Sequence, residues 1–349
     1  MPQVAVLDLR TADPERLAAI SAERLPERVS GLFDRAKARY TKPGMIIGDA
    51  LSRFWLKRSE NERLSEIDAA AKIIGRSGAH LLNASYDWAC TSAACAADEE
   101  NAPLFVRILD WDLAGLGENL CALIQRGPAG DWINLSWPGY AGCVTGVAFA
   151  RFAVAINQPP RPDCGIAGGT RFAKAANWIA ARPATWRSKA PPAPHLLRKT
   201  FEQASDYDEA VAALSETEIC GEAFFIVNGP NPGQACVIER RGKLSEIRRA
   251  DENGIAACSN HWIEMKLGGV PRGRDSAERL ESMRRMDRND LRRREGDQTF
   301  DWMRDPILNE GTRVAVIADL RSGTLRAAGF ENGKRVTEVL SLTERDLLA

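Results

Sequence analysis

Apolar positions along the 349-residue chain follow two rhythms. Over residues 12–79 they recur every three or four positions, as in DPERLAAISAERLPERVSGLFDRAKARY and NERLSEIDAAAKIIGRSG. Charge fills the other faces, which predicts helices. From residue 88 to about 157 the rhythm shortens. CTSAACAA, LFVRILDW, NLCALIQR, DWINLSW and FAVAINQ are β-rich runs separated by turns. Helical spacing returns over 171–215, broken by the proline-rich KAPPAPH, and SDYDEAVAAL offers Ser205 or Asp206 as a cap. A second strand block follows: EAFFIVNG, QACVIERR, KLSEIRRA and GIAACSN. RDSAERLESMRRM predicts a helix that Asp275 or Ser276 can cap, and TRVAVIADLRSGTLRAAGF a closing hairpin turning at RSG. Helices and strands in alternating blocks predict an α+β fold of layered sheets covered by helices, not a doubly wound parallel sheet.

Composition narrows the function classes. Lys plus Arg and Asp plus Glu number 47 each, so no global field draws the chain to nucleic acid or an anionic surface. Hydrophobic residues make up 44%, enough for a sizeable core, yet no window approaches the roughly 18 apolar residues of a membrane span. No stable membrane anchor is expected. MPQVAVLDLRTADPERLAAI lacks the basic region and apolar run of a signal peptide, so a cytoplasmic location is expected. The eight cysteines (90, 95, 121, 143, 164, 220, 236 and 258) form no CxxC pair. They predict free thiols with no metal and no cofactor. Gly229 and Gly233 lie in a hairpin loop with no helix after it, which argues against a nucleotide site.

Most of these cysteines fit an ordinary core. Cys90 stands apart because it opens a small-residue run, Ala89-Cys90-Thr91-Ser92, ahead of a strand carrying Arg107 and Asp110. A cysteine attacks only as thiolate and needs a base nearby. His80, His195 and His261 are the only histidines, and none sits in a recognisable Cys-His pattern. A cut before Cys90 would supply another base, its own freed α-amine, with a pKa of about 7.7–8.0.

The order of motifs extends this reading. CTS followed by RILDW resembles the CTS…GRNLD region of the acid ceramidase and N-acylethanolamine acid amidase family, N-terminal-nucleophile hydrolases related to choloylglycine hydrolases and penicillin acyltransferase. LNASYDW resembles the element before that family's cleavage site. WPGYAGCVTGVAFARFAVAINQ, AFFIVNGPNPGQACVIERR and CSNHW are similar to its later motifs. The resemblance covers about residues 80–285 and implies a four-layer αββα sandwich of two antiparallel sheets between helices. It implies a helical propeptide over 1–89 and a catalytic chain over 90–349.

Carried over residue by residue, Cys90 is the nucleophile and its amine the general base. Arg107 holds the thiolate, and Asp110 orients the amine. Asn157 and Asn260 belong to the polar cradle, with Asn260 in the oxyanion hole. An arginine after Asn260 completes the site: Arg274 is preferred, with Arg272 and Arg279 as competitors. Seventeen positions separate Cys90 from Arg107, one more than the family spacing, which predicts an insertion in ADEENAP. Arg107 and Asp110, three apart, fall on opposite faces of a regular strand, so the strand is expected to end or bend near Leu109.

Each residue alone also fits a structural role. Cys90 fits core, Arg107 with Asp110 a cross-strand pair, the two asparagines turns, and Arg274 a helix flank. Trp88, Trp111, Trp132, Trp137, Trp178 and Trp186 fit either core or the lining of an acyl pocket.

The activity implied is hydrolysis of a linear carbon–nitrogen amide through a Cys90 thioester, after self-cleavage at Ala89-Cys90. The substrate would be a small N-acyl amide: an acyl lipid, a bile-salt-like conjugate or an acyl-amino compound. The alternatives are acyl transfer to an amine, towards which SNH and the closing hairpin lean, and a non-catalytic relative. An oligomer is compatible with the sequence.

Overall fold

The computed structural model describes residues 1–84, 88–99, 101–163, 165 and 182–348. Residues 85–87 of LNASYDW, Cys164, Trp178 and the helix expected from residue 171 lie outside the described residues.

The chain opens with strand β1 (Ala5–Asp8) and then helices α1 (Leu17–Arg24), α2 (Pro26–Tyr40), α3 (Lys42–Arg58), α4 (Leu64–Ile74) and α5 (Ala79–Ala84). Local chemistry sets these boundaries. Pro26 begins α2, where its missing N–H costs nothing. Thr41 caps α3 by accepting the Gly44 N–H at 3.3 Å. Gly75 ends α4 in the left-handed region (φ 63°), which glycine adopts without a side-chain clash.

Strands β2 (Ala89–Cys95), β3 (Leu104–Asp110), β4 (Cys121–Gly127), β5 (Gly130–Ser136), β6 (Thr145–Ala148) and β7 (Phe152–Asn157) follow. After helices 182–187, 193–203 and 207–216 come β8 (Glu222–Asn228), β9 (Ala235–Arg241), β10 (Leu244–Arg249) and β11 (Ile255–Cys258). Helices 276–284 and 288–293 lead to β12 (Thr312–Asp319), β13 (Thr324–Glu331), β14 (Lys334–Arg335) and β15 (Leu340–Thr343). The closing hairpin forms where the sequence predicts it. Asp319 Oδ1 accepts the Arg321 and Ser322 N–H groups inside its turn.

Two sheets result. One runs β1-β4-β5-β6-β7-β8-β9-β10, the other β11-β2-β3-β12-β13-β14 with β15 paired to β13. Among the named strands every pairing but one is antiparallel, in keeping with the expected sandwich of two antiparallel sheets. β1 lies parallel to β4, with Ala5 opposite Cys121. A parallel pair needs a long crossover, and the whole helical segment plus β2 and β3 provide it.

The larger core lies between the sheets and includes Cys90, Phe105 and Leu109 from one and Ala155, Ile226 and Val237 from the other. A second core, with Ala93, Val106 and Ile108 against Leu280, Met283 and Leu291, seals helices 276–284 and 288–293 onto the other side of β2 and β3. Leu197 and Phe201 of helix 193–203 cover the eight-stranded sheet, and Phe201 stacks on Trp132 at 4.8 Å. The layers are therefore helix, sheet, sheet, helix.

Residues 1–89 belong to this body. They supply β1 to a sheet and Phe33, Met45 and Trp88 to the main core. Glu66 of α4 forms an ion pair at 2.7 Å with Arg198 of helix 193–203, both buried.

Candidate active site

β2 and β3 pair in continuous register from Ala89 opposite Asp110 to Cys95 opposite Leu104. Directly opposed residues share a face, and faces alternate along a strand. Cys90, Ser92, Arg107 and Leu109 therefore project between the sheets. Ala89, Thr91, Ile108 and Asp110 project towards helix 276–284. Arg107 and Asp110 do lie on opposite faces. As expected, β3 ends beside Leu109, at Asp110, and its pairing with β12 shifts register there, with Val314 opposite Leu109 and Thr312 opposite Asp110. An arginine from the covering helix meets Asp110.

That arginine is Arg279, 1% exposed. Its Nη1 donates to the Cys90 carbonyl at 2.6 Å and to Thr91 Oγ1 at 2.8 Å, and its Nη2 donates to Asn260 Oδ1 at 2.9 Å. The same guanidinium stands 3.8 Å from Asp110. Arg274, preferred from sequence, is exposed, and only its backbone carbonyl takes part, accepting Arg279 Nε at 2.7 Å. Arg272 donates to the Pro159 carbonyl instead. Arg279, one of the competitors, lies one turn into the helix, on the face packed against β2, and its side chain is the one of the three that meets Cys90, Thr91 and Asn260 among the described residues. No count of residues from Asn260 could reveal it.

Asn260 accepts the Cys90 N–H at 2.9 Å and donates to the Gln158 carbonyl at 2.7 Å. The backbone of Cys90 is thus held at its nitrogen by Asn260 and at its carbonyl by Arg279. Asp110 accepts from Thr312 Oγ1 at 2.9 Å and from Asn309 Nδ2 at 3.2 Å. Burial pushes its carboxyl above the usual range, against the pull of Arg279 and these two donors. Thr312 and Asn309 carry no signal in the sequence, being some 200 positions away.

On the inner face, Arg107 donates to Asn157 Oδ1 at 2.7 Å, and Ser92 Oγ donates to the same oxygen at 2.9 Å. Asn157 Nδ2 in turn donates to the Cys258 and Ser259 carbonyls, spanning the two sheets. Among the described residues Arg107 Nε and Nη2 are buried without hydrogen-bond partners. Buried donors of a cation left open beside a thiol suit an incoming carbonyl or anionic group. The Cys90 thiol is fully buried, 3.8 Å from the Ile156 carbonyl. Burial pushes it up to about 11, with Arg107 pulling the other way, so in the intact chain it is a neutral thiol.

The structure brings Cys90, Arg107, Asp110, Asn157 and Asn260 together and leaves Arg274 outside. None of the three histidines is hydrogen-bonded to the Cys90 thiol among the described residues. His80 lies between Asp49 and Asp68, His195 beside Asn61, and His261 beside Ser276.

A small apolar cleft opens at Trp88, two residues before Cys90, walled also by Phe33 and Leu82 of the N-terminal helices and by Trp111, Trp137 and Val144. Trp88 donates to the Ile156 carbonyl, the one Cys90 Sγ faces, at 3.3 Å. Trp88, Trp111 and Trp137 line this cleft. Trp132 stacks on Phe201 in the core, and Trp186 packs with Trp55 and Leu56 elsewhere.

No family model matches the chain. Among curated proteins it is similar to the acid ceramidase of Heterocephalus glaber, 29% identical over 113 residues, which is 32% of this chain and 25% of that protein. It is also similar to the N-acylethanolamine-hydrolyzing acid amidase of Rattus norvegicus, 26% identical over 192 residues, covering 52% of this chain and 49% of that one. The likeness to the acid ceramidases extends over about a third of this chain. It spans about a quarter to a half of the length of the curated relatives it matches. Among solved structures, the Caenorhabditis elegans N-acylethanolamine-hydrolyzing acid amidase ortholog aligns over 66% of this chain and 93% of its own, with 17% identity and a TM-score of 0.49.

Proposed function

We propose that this chain hydrolyses the carbon–nitrogen bond of a linear N-acyl amide through a Cys90 thioester, after cutting itself between Ala89 and Cys90. The supporting observation is the double hold on the Cys90 backbone, with Asn260 at its N–H and Arg279 at its carbonyl, beside an apolar cleft. In self-cleavage the Cys90 thiol attacks the Ala89 carbonyl and the peptide C–N bond breaks. The nitrogen takes a proton and leaves Ala89 as a thioester on the sulfur. Water then releases the Ala89 carboxylate and restores the thiol. The two products are 1–89 and 90–349.

The freed amine, with a pKa of about 7.7–8.0, takes the thiol proton. The thiolate attacks the substrate carbonyl, and Asn260 donates to the oxyanion with Arg279 behind it. The protonated amine delivers its proton to the leaving nitrogen, and water resolves the thioester. Arg107 holds the thiolate, and Asp110 accepts from the amine. The acyl chain lies in the cleft that residues 1–89 help to wall, so the cut segment stays bound. No helix among the described residues is long and apolar enough to cross a membrane, and a cytoplasmic location belongs to this reading.

Intact-mass measurement of purified protein tests it first. Two chains are expected, the larger beginning at Cys90, and Cys90→Ala should stay whole and inactive. Before cleavage iodoacetamide should reach the half-buried Cys220 before the buried thiols. After cleavage Cys90 should react fastest. A panel of N-acyl amides assayed with and without hydroxylamine separates hydrolysis from acyl transfer. A Cys90→Ala variant that is cut or active like the wild type would overturn the proposal.

A further inference from the structure

Ser276 begins helix 276–284, where a serine ordinarily serves the helix. Here it does not. The N-cap, Asp275, is held in the left-handed region (φ 48°) and its side chain makes no capping bond. Ser276 Oγ instead accepts the backbone N–H of Asn260 at 2.9 Å and lies 2.8 Å from His261 Nδ1. Ser259 Oγ donates its hydrogen to the Ser276 carbonyl at 2.7 Å. The Ser276 hydroxyl hydrogen is then free to go to His261 Nδ1. Three residues on, Arg279 grips the same asparagine by its side-chain oxygen. Residues three apart on a helix share a face, so Ser276 and Arg279 hold Asn260 at two points from one rigid element.

We propose that Ser276 and His261 are positioning residues that set Asn260 and Arg279 against Cys90, governing the rate of amide cleavage without touching the substrate. The inference rests on the function proposed above. The Ser276 hydrogen can go to His261 Nδ1 at 2.8 Å or to Ser259 Oγ at 2.9 Å; His261 is the nearer acceptor, and its surroundings favour its accepting form. His261 is half-buried and faces Arg279 and Arg284 of helix 276–284, Glu239 of β9 and Arg248 of β10. Burial and the arginines keep it below the usual imidazole range, with Glu239 opposing. Protonation would turn Nδ1 from acceptor to donor, reverse its bond to Ser276 and add a third positive charge beside Arg279 and Arg284.

The test uses lauroyl-7-amido-4-methylcoumarin as probe, with the rate of self-cleavage at Ala89-Cys90 followed by intact mass in parallel. Ser276→Ala and His261→Phe should lower kcat about tenfold with KM nearly unchanged, the signature of a misplaced group and not a lost binding contact. Ser276→Thr, which keeps the hydroxyl, and His261→Asn, which keeps an acceptor near Nδ1, should recover most of the rate. An acidic limb below about pH 6.5 in the wild type should vanish in His261→Asn. A folded Ser276→Ala with wild-type kcat, a change confined to KM, or the same limb in His261→Asn would overturn the proposal. If Ser276→Ala does not fold, Ser276→Thr and the His261→Asn profile decide alone. Cys90→Ala is the blank. If it is cut or turns over probe like the wild type, or if the wild type does neither, the functional reading fails and takes this inference with it.

Discussion

Replacing Arg279 and Arg274 in parallel separates the geometric assignment from the one preferred on sequence. Arg279 is 1% exposed and donates to four oxygens, those of Arg274, Cys90, Thr91 and Asn260, while standing 3.8 Å from Asp110. Removing one partner of a buried charge pair costs about 3–5 kcal/mol, because the other is left uncompensated. Two features put Arg279→Ala near the lower end. Asp110 keeps its bonds from Thr312 and Asn309, and burial already inclines it to take a proton. About 3 kcal/mol is therefore expected.

The loss in rate should be larger than this loss in fold. Without Arg279, Asn260 Oδ1 and the Cys90 carbonyl lose their shared donor, and loss of one preorganised donor at an oxyanion lowers kcat by about 10²–10³. Arg279→Lys keeps the charge but not the fork that reaches three acceptors at once. It should retain most of the stability and little of the rate. Arg274→Ala removes an exposed side chain and should stay within about 0.5 kcal/mol at wild-type rate. Urea unfolding followed by circular dichroism gives the stability, and probe turnover per folded molecule gives the rate. If Arg274→Ala silences the enzyme while Arg279→Ala leaves it stable and active, the geometric reasoning is wrong.

Other outcomes follow from the same network. Arg107→Ala and Asp110→Asn should each lower the rate by about 100-fold or more, and the double variant by less than the product, since both serve one nucleophile. Because the Asp110 pKa is raised in the fold, its ionised form opposes folding. Its favourable contribution is present at low pH and lost as pH rises through the folded pKa. Asp110→Asn should thus not be less stable than wild type at pH 7, and any advantage should shrink on acidification. A variant that melts earlier at pH 7 would refute this. His80 is hydrogen-bonded to Asp49 of α3 at 3.3 Å and to Asp68 of α4 at 2.8 Å, and these carboxylates raise its pKa against burial. Its contribution is present below the usual value of about 6.5 and lost as pH rises through the folded value. Thermal melts from pH 6 to 9 should show that slope in the wild type and lose it in His80→Gln.

Element types were legible in the sequence because they depend on spacing along the chain. The β-rich runs became β2 to β5 and β7 to β11, and three- and four-residue spacing over 12–79 became α1 to α4. Asp206 caps its helix as expected, accepting the Glu209 N–H. Part of the site was legible for the same reason. Cys90, Arg107 and Asp110 lie on two strands joined by one turn, so local register carries them close. Asn157 and Asn260 came from the resemblance of ordered motifs.

Tertiary structure alone decided the rest, since those contacts join residues far apart in the chain. It selected Arg279 over Arg274 through the pitch of a helix laid across β2. It showed that Arg107 and Asp110 flank Cys90 from opposite sides of one strand, each with its own supports. It sent the Ser276 hydroxyl to Asn260 when the sequence offered that residue as a helix cap. It also sorted the tryptophans, because whether an indole walls a cleft or stacks in a core depends on what the opposite layer presents. A one-dimensional pattern records which face a residue takes; only the packed layers determine what that face meets.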